Sequence, residues 1–379
     1  MPVTPEEKTQ TPINNSEFLH STENVSEIFK APRLAPESYP GDFPRTPCAL
    51  LDGENLYQLR WNSHSTPESN VGDFDPVIDT TKGPVSLDDY LKARGLPTTA
   101  ERYALTVFAS NRCPGQLLDK FRRASTQTEA GHPDQEQMPE LEVVPMFNGV
   151  LRGYDVVYNA KVGNLGYFFA DLYQSPETAD TEIEVAVLLL TREQLQIIHE
   201  TEKQYDFKLL GRTRLGKVLD SGEEGVNFDI PAYAHVGKAS AYANPHASEP
   251  QPVAVAGVHA HNRSLEALDQ PRFQEMVFSY DPEGKKQRVF SEFTNDQSIK
   301  ANSPNFIANM RSQRAGGTRK LSERKNFQEL LNSAMSEAER ITIDPDRFEA
   351  TEFVELGKQP IPRLGEITVI NFLAAQAAK

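Results

Sequence analysis

The sequence predicts an α+β fold, a mixed sheet or small barrel with flanking helices and a C-terminal extension. Three observations carry that expectation. Strand-like apolar runs outnumber helical stripes between residues 47 and 210. They follow one another without the regular strand-helix alternation of a doubly wound sheet, and convincing amphipathic helices are few. At 379 residues the chain is long enough for one large domain or two ordinary ones, so core size is no constraint.

Residues 1–46 are rich in Pro, Ser, Thr and Glu and rarely place bulky apolar residues in succession. Burial there would hardly offset the entropy of ordering, and a disordered or loosely docked arm is expected. Residues 47–280 form the expected core. Short strands are read around Ala49 to Leu51 and Leu56 to Trp61, and Ser86 caps a helix running to Ala93 that Gly95 ends. Tyr103 to Phe108 reads as a strand, Ser110 and Asn111 as a turn, and Pro114 as the first turn of a helix ending near Arg123. Strands follow within 141–160, at Phe168 to Tyr173 and at Ile183 to Leu190, with Ser175 and Pro176 stopping the second. Thr191, with Gln194 three residues on, has the pattern of a capping box opening a short helix. Beyond Leu210 the pattern is weaker, with a strand at Val253 to Val258 and a helix over Leu265 to Phe278. Residues 281–379 divide into a polar connector (about 281–320), a helical stripe of Phe327, Leu330, Leu331, Ala334, Ala338 and Ile341, and an irregular C-terminal cover.

Bulk properties narrow the function classes. The formal net charge of -15 would repel a phosphate backbone, so a nucleic-acid partner is not expected. The local basic cluster of Arg311, Arg314, Arg319, Lys320, Arg324 and Lys325 lacks interleaved aromatics and reads as a solvated loop. The opening Met-Pro-Val-Thr-Pro-Glu has neither a basic start nor an apolar run, so no secretory signal and no membrane span are expected. Cys48 and Cys113 alone support no disulfide framework, which fits a reducing, cytoplasmic setting.

Common catalytic patterns are missing: there is no phosphate-cradling Gly-rich loop, nucleophile-elbow serine or HExxH helix. His259 and His261 project from one side of a possible strand and would hold a metal only if a third ligand came from elsewhere; with none visible, no metal is assigned. Cys113 has no base partner in any motif and reads as a structural thiol. His199 reads as a surface residue or as one that orients a carboxylate. Two features are more informative. Phe108, Ala109, Ser110 and Asn111 end a strand and begin a helix-like segment, leaving backbone N–H groups free for an anion or a developing oxyanion. Glu202 lies one turn beyond Ile198 and two beyond Leu195, on the apolar stripe of its helix. Loss of hydration at such a position raises a carboxyl pKa and makes the group a proton acceptor near neutral pH.

Three blocks in this order resemble the gamma-glutamylcyclotransferase-like family: LTVFASN at 105–111, LRGYDVVYNA at 151–160 with YFFADLYQSP at 167–176, and EIEVAVLLLTREQLQIIHETE at 182–202. The similarity covers roughly residues 100–210 and is nearest to a larger, poorly characterised bacterial branch with a comparable DVVY block and Thr-Glu helix end. The resemblance implies a cyclotransferase-like core in which the alpha-amine of a gamma-glutamyl group attacks its own gamma-carbonyl, giving 5-oxoproline and a released amine or amino acid. It implies Glu202 as catalytic acid and base, Phe108, Ala109, Ser110 and Asn111 as the substrate-binding loop, a small gamma-glutamyl substrate, and no metal or organic cofactor. The family's Tyr-Gly-Ser-Asn reads Phe-Ala-Ser-Asn here, which removes a hydroxyl at Phe108 and a glycine at Ala109. The rival expectation is a catalytically inactive descendant that keeps the fold as a binding or interaction module. Nothing in the sequence fixes an oligomeric state.

Overall fold

The computed structural model describes residues 23–60, 76–129, 139–163, 167–203, 205–220, 224–237, 241–294, 329–335, 339–341 and 363–364. Strand β1 (Glu23–Asn24), helix α1 (Val25–Ile28), β2 (Cys48–Asp52) and β3 (Asn55–Gln58) precede a hairpin of β4 (Val77–Thr80) and β5 (Gly83–Ser86). Helix α2 (Leu87–Ala93), β6 (Tyr103–Val107), α3 (Pro114–Glu129), β7 (Val143–Arg152), β8 (Asp155–Val162) and β9 (Phe168–Tyr173) come next. They lead to β10 (Glu182–Leu190), α4 (Arg192–Thr201) and the hairpin of β11 (Tyr205–Lys217) and β12 (Glu224–Gly237). Short elements complete the chain: β13 (Ala241–Tyr242), β14 (Ala254–Val255), β15 (Ala260–His261), β16 (Ala267–Leu268), α5 (Gln270–Ser279), α6 (Lys285–Thr294) and β17 (Arg340–Ile341).

The larger sheet runs β1-β3-β2-β7-β10-β15, with β6 added on β10, β11 on β7 and β12 on β11, all antiparallel. A second sheet runs β16-β14-β8-β13-β17 with β9 on β8, and only its β14–β16 contact is parallel. This is an α+β architecture. Among the described residues the sheets do not close into a barrel, because β12 pairs only with β11. No described helix is long and apolar enough to cross a membrane.

Strand β10 is buried from Ile183 to Leu190, which explains its unbroken apolar run. Its period of two sends Val187 and Leu189 to a core with Tyr57, Leu87 and Tyr90, and Ala186, Leu188 and Leu190 to a core with Leu117, Phe121, Leu195 and Ile198. Helix α2 therefore covers one face, and α3 and α4 the other.

The structure corrects several expectations. Of the arm expected over residues 1–46, residues 1–22 lie outside the described residues, and residues 23–46 dock firmly: Val25, Phe29 and Tyr39 are buried, and Asn148 Nδ2 donates to Pro44 O and Thr46 O at 2.6 and 2.7 Å. Apolar residues too sparse to form a core of their own suffice to dock on one already built. The approach is close enough that a Cβ at Gly115 would lie 1.8 Å from Phe29 O. Helix α3 continues to Glu129, beyond the expected Arg123. The helix expected from Leu265 starts at Gln270, because Asp269 accepts from Arg272 N–H as N-cap and Ala267–Leu268 pairs with β14. The expected connector contains α6, and Ile341 leaves the expected helical stripe to pair with Ala241. The basic cluster at 311–325, Phe327 and Ala338 lie outside the described residues.

Candidate functional site

The β6–β10 pair sets the geometry around Glu202. Val107, the last residue of β6, lies opposite Ala186, so the turn that follows β6 starts beside the middle of β10. From there β10 runs to Leu190, and α4 folds back over about 15 Å, the length of ten helical residues. The capping box expected at Thr191 starts this return: Gln194 N–H donates to Thr191 Oγ1 at 3.3 Å and Thr191 N–H to Gln194 Oε1 at 2.8 Å. Glu202 is the C-cap of α4 and is thereby brought back to the turn after β6.

Asn111 and Glu202 consequently touch. Asn111 Nδ2 donates to Glu202 Oε1 at 3.1 Å. Lys120, buried on α3, donates to the same oxygen at 2.6 Å, to Asn111 Oδ1 at 2.7 Å and to Thr201 Oγ1 at 2.9 Å, so all three ammonium protons have acceptors. Among the described residues Glu202 Oε2 has no hydrogen bond, and the side chain keeps 15% of its exposure. A carboxylate at a helix C-terminus faces the negative end of the macrodipole, and Lys120 offsets that repulsion.

The electrostatics overturn one expectation. Burial by itself pushes the Glu202 carboxyl up, but the Lys120 ammonium, His235, and hydrogen bonds from Lys120 and Asn111 together hold it below the usual carboxylate range. The group is a stably ionised carboxylate at neutral pH. Tyr39 and Tyr205 have hydroxyl pKa values raised first by burial and, among lesser causes, by the Glu202 charge.

The other loop residues separate into two roles. Phe108 is buried in the core that holds Tyr39 and Tyr167. Ala109 packs at its edge with φ of −132°, an ordinary negative value, so this position imposes no demand for glycine on φ. Ser110 and Asn111 enter a short 3₁₀ turn whose Arg112 and Cys113 N–H groups bond back to Ala109 O and Ser110 O. Among the described residues, nothing accepts from the N–H groups of Ala109, Ser110 and Asn111.

The remaining candidates resolve plainly. Cys113 is buried, burial pushes its thiol up to about 12, and Sγ faces Phe29 O and Lys30 O. That is a structural thiol. His199 is half-buried on the inner side of α4, with Nδ1 2.8 Å from His235 Nε2. Burial lowers His199 to about 4 and His235 to about 3, so both stay neutral at pH 7. His259 and His261 meet a third group, Asp220, from the end of the β11 segment.

Sequence reasoning missed Lys120, His235, Tyr39 and Asp220. Lys120 had a local signal: a cation flanked in the sequence by Leu117, Leu118 and Phe121, all of which are buried. The others come from distant segments and leave no local pattern.

No known-family profile matches the chain, and no curated protein matches it. The crystal structure of an uncharacterized protein from Homo sapiens superposes at a TM-score of 0.23 and 11% identity, over 60% of this chain and 99% of that one. A score this low does not establish a shared fold.

Proposed function

We propose that the chain is a gamma-glutamylcyclotransferase-like lyase, cyclising a gamma-glutamyl amine or peptide to 5-oxoproline. The observation that supports this reading best is the Asn111–Glu202 contact, which joins a loop and an acid 91 residues apart in the chain. Glu202 Oε2, free of hydrogen bonds among the described residues, would accept a proton from the substrate alpha-ammonium. The freed amine then attacks the gamma-carbonyl carbon; the new C–N bond closes the ring, and the old amide C–N bond breaks as Glu202 returns the proton to the leaving nitrogen. Because Lys120 favours the ionised state, Glu202 holds that proton weakly and gives it up readily. The N–H groups of Ala109, Ser110 and Asn111 suit the tetrahedral oxyanion or the substrate carboxylate. Folding the substrate back on itself supplies much of the acceleration through orientation.

Release of 5-oxoproline from a panel of gamma-glutamyl compounds tests the reading. Turnover is expected, and Glu202→Gln should lower it by about 10²–10⁴-fold. Equal rates for both proteins would remove Glu202 from the chemistry. One observation favours the rival reading of a non-catalytic binding module: Lys120 already neutralises the acid. That reading predicts saturable ligand binding without turnover, unchanged in Glu202→Gln. Activity that appears only after Phe108→Tyr with Ala109→Gly would mark a decayed catalytic site.

A further inference from the structure

A second cluster lies at the opposite end of β10 from α4, and the cyclisation chemistry makes no use of it. His259 and His261 are two residues apart along an extended segment, so their rings leave from one side. Their Nε2 atoms lie 2.7 and 2.8 Å from Asp220 Oδ2 and Oδ1, respectively. One ligand atom from each of the three residues falls within 4.8 Å of the others.

Both halves of this cluster are anchored to one residue. Glu184 N–H donates to His259 O at 2.9 Å, while Glu184 Oε1 accepts from Leu219 N–H at 2.9 Å, immediately before Asp220. Arg45 Nη2 holds Leu219 O at 3.1 Å, and Arg112 Nη1 holds Glu184 O at 3.0 Å. His261 is further fixed by its register opposite Glu182. Asp220 itself sits at φ of 61°, in the left-handed region that aspartate enters more easily than most residues. The buried Glu184 therefore sets the spacing between the carboxylate and the two imidazoles before any ligand arrives.

We propose that Asp220, His259 and His261 bind one borderline divalent transition ion of the zinc class, through two imidazole nitrogens and one carboxylate oxygen. Such ions bind these ligands at about 2.0–2.2 Å, which places neighbouring ligand atoms roughly 3–3.4 Å apart. Each imidazole now bonds a different oxygen of Asp220, at 2.7 and 2.8 Å, and one ligand atom from each residue lies within 4.8 Å of the others, so a modest side-chain rotation brings both imidazoles and one oxygen onto the ion. Imidazole donors favour zinc, cobalt, nickel or iron over calcium and magnesium, which prefer all-oxygen shells. The side chains keep 37%, 38% and 59% of their exposure at His259, His261 and Asp220, so the ion has access and its other positions remain open to water or a ligand. Three protein ligands with open positions is the arrangement of a reactive or ligand-responsive centre rather than a closed structural one.

The test uses the untagged full-length chain, stripped with chelator and titrated with Co²⁺ followed by visible d–d absorption, then with competing Zn²⁺. Uptake of one ion per chain and a higher thermal midpoint with Zn²⁺ are expected. His259→Ala with His261→Ala should abolish stoichiometric uptake, and Glu184→Gln should weaken it by about 10–100-fold as the loss of a supporting group. His246→Ala, at another exposed histidine, should change nothing. Asp220→Asn, at an exposed position with little folding burden, provides a variant whose fold is expected to survive; its thermal midpoint without metal checks this. Absence of saturable uptake by the wild type, or equal uptake by the Asp220, His259 and His261 triple alanine variant, would overturn the proposal and leave a hydrogen-bonded His-Asp-His cluster.

Discussion

Glu202 and Asp171 are two inward carboxylates that both bear on the Tyr205 hydroxyl, yet their environments push them in opposite directions. Glu202 has a cation, Lys120, at 2.6 Å and is held below its ordinary range despite the opposing effect of burial. Asp171, fully buried on β9, has only neutral donors among the described residues: Gly237 N–H and Leu172 N–H at 2.8 Å, and Asn159 Nδ2 at 3.5 Å. Burial outweighs them and raises Asp171 to about 7. The difference teaches that one ammonium can offset desolvation where three neutral hydrogen bonds do not. A detail nearby fits the protonated form: among the described residues Asn159 Oδ1 is buried without a hydrogen-bond partner, and a turned amide would let it accept from an Asp171 O–H.

The largest effect is expected from Lys120→Met, which turns the Glu202 environment into that of Asp171. Removing one partner of a buried pair costs about 3–5 kcal/mol, read by urea denaturation at pH 7. The pH dependence should also reverse. In the wild type the depressed Glu202 pKa contributes stability above the unfolded carboxylate value, lost as pH falls through the folded value. In the variant a raised pKa would make stability fall as pH rises. Adding Glu202→Gln should recover most of the loss, because the uncompensated charge is gone; a simple sum of the two single effects would show that the groups are not coupled.

Asp171→Asn approaches the contrast from the other side and is the next largest. With its folded pKa near 7 against an ordinary value of 3.8, Asp171 contributes stability fully below pH 3.8, and that contribution is lost as pH rises through 7. The span corresponds to roughly 4 kcal/mol as an order of magnitude. An asparagine cannot ionise, and its amide can bond a turned Asn159 while its oxygen keeps the two backbone donors. The variant should therefore lack this decline between pH 4 and 7 and be the more stable protein at pH 8. An unchanged slope in denaturation free energy would assign the titration to another group.

How much of this was legible in the sequence follows from the range of each interaction. The Thr191 cap, the β10 run and the position of Glu202 are local patterns of period two, three or four, and they stand in the structure as expected. The sign of the Glu202 shift was not legible, because it depends on Lys120 arriving from α3, 82 residues away in the chain. Asp220 was hidden for another reason. Hairpin β11–β12 has register shifts between Leu209 and Arg212 and between Leu215 and Lys217, with Gly211 and Gly216 at positive φ. Each irregularity moves later side chains to the other face, which erases the alternation a strand is read from. Closure of the sheet was equally unreadable, since it depends on which strands find partners rather than on any strand's own pattern.

The smallest expected effect is that of Thr191→Ala, and it tests whether the acid pair is independent of the helix that carries it. The substitution removes the bond from Gln194 N–H and should cost about 1 kcal/mol. Thr191 and Glu202 sit at opposite ends of α4, about 15 Å apart along a ten-residue helix. At that distance the effects should add to within about 0.5 kcal/mol, so the coupling between Lys120 and Glu202, measured by the same double-mutant cycle, should be unchanged in the Thr191→Ala background. A clearly smaller coupling would mean that fraying at the start of α4 reaches its C-cap. The position of Glu202 beside Lys120 would then depend on the whole helix, and the contrast with strand-held Asp171 would be one of rigidity as well as charge.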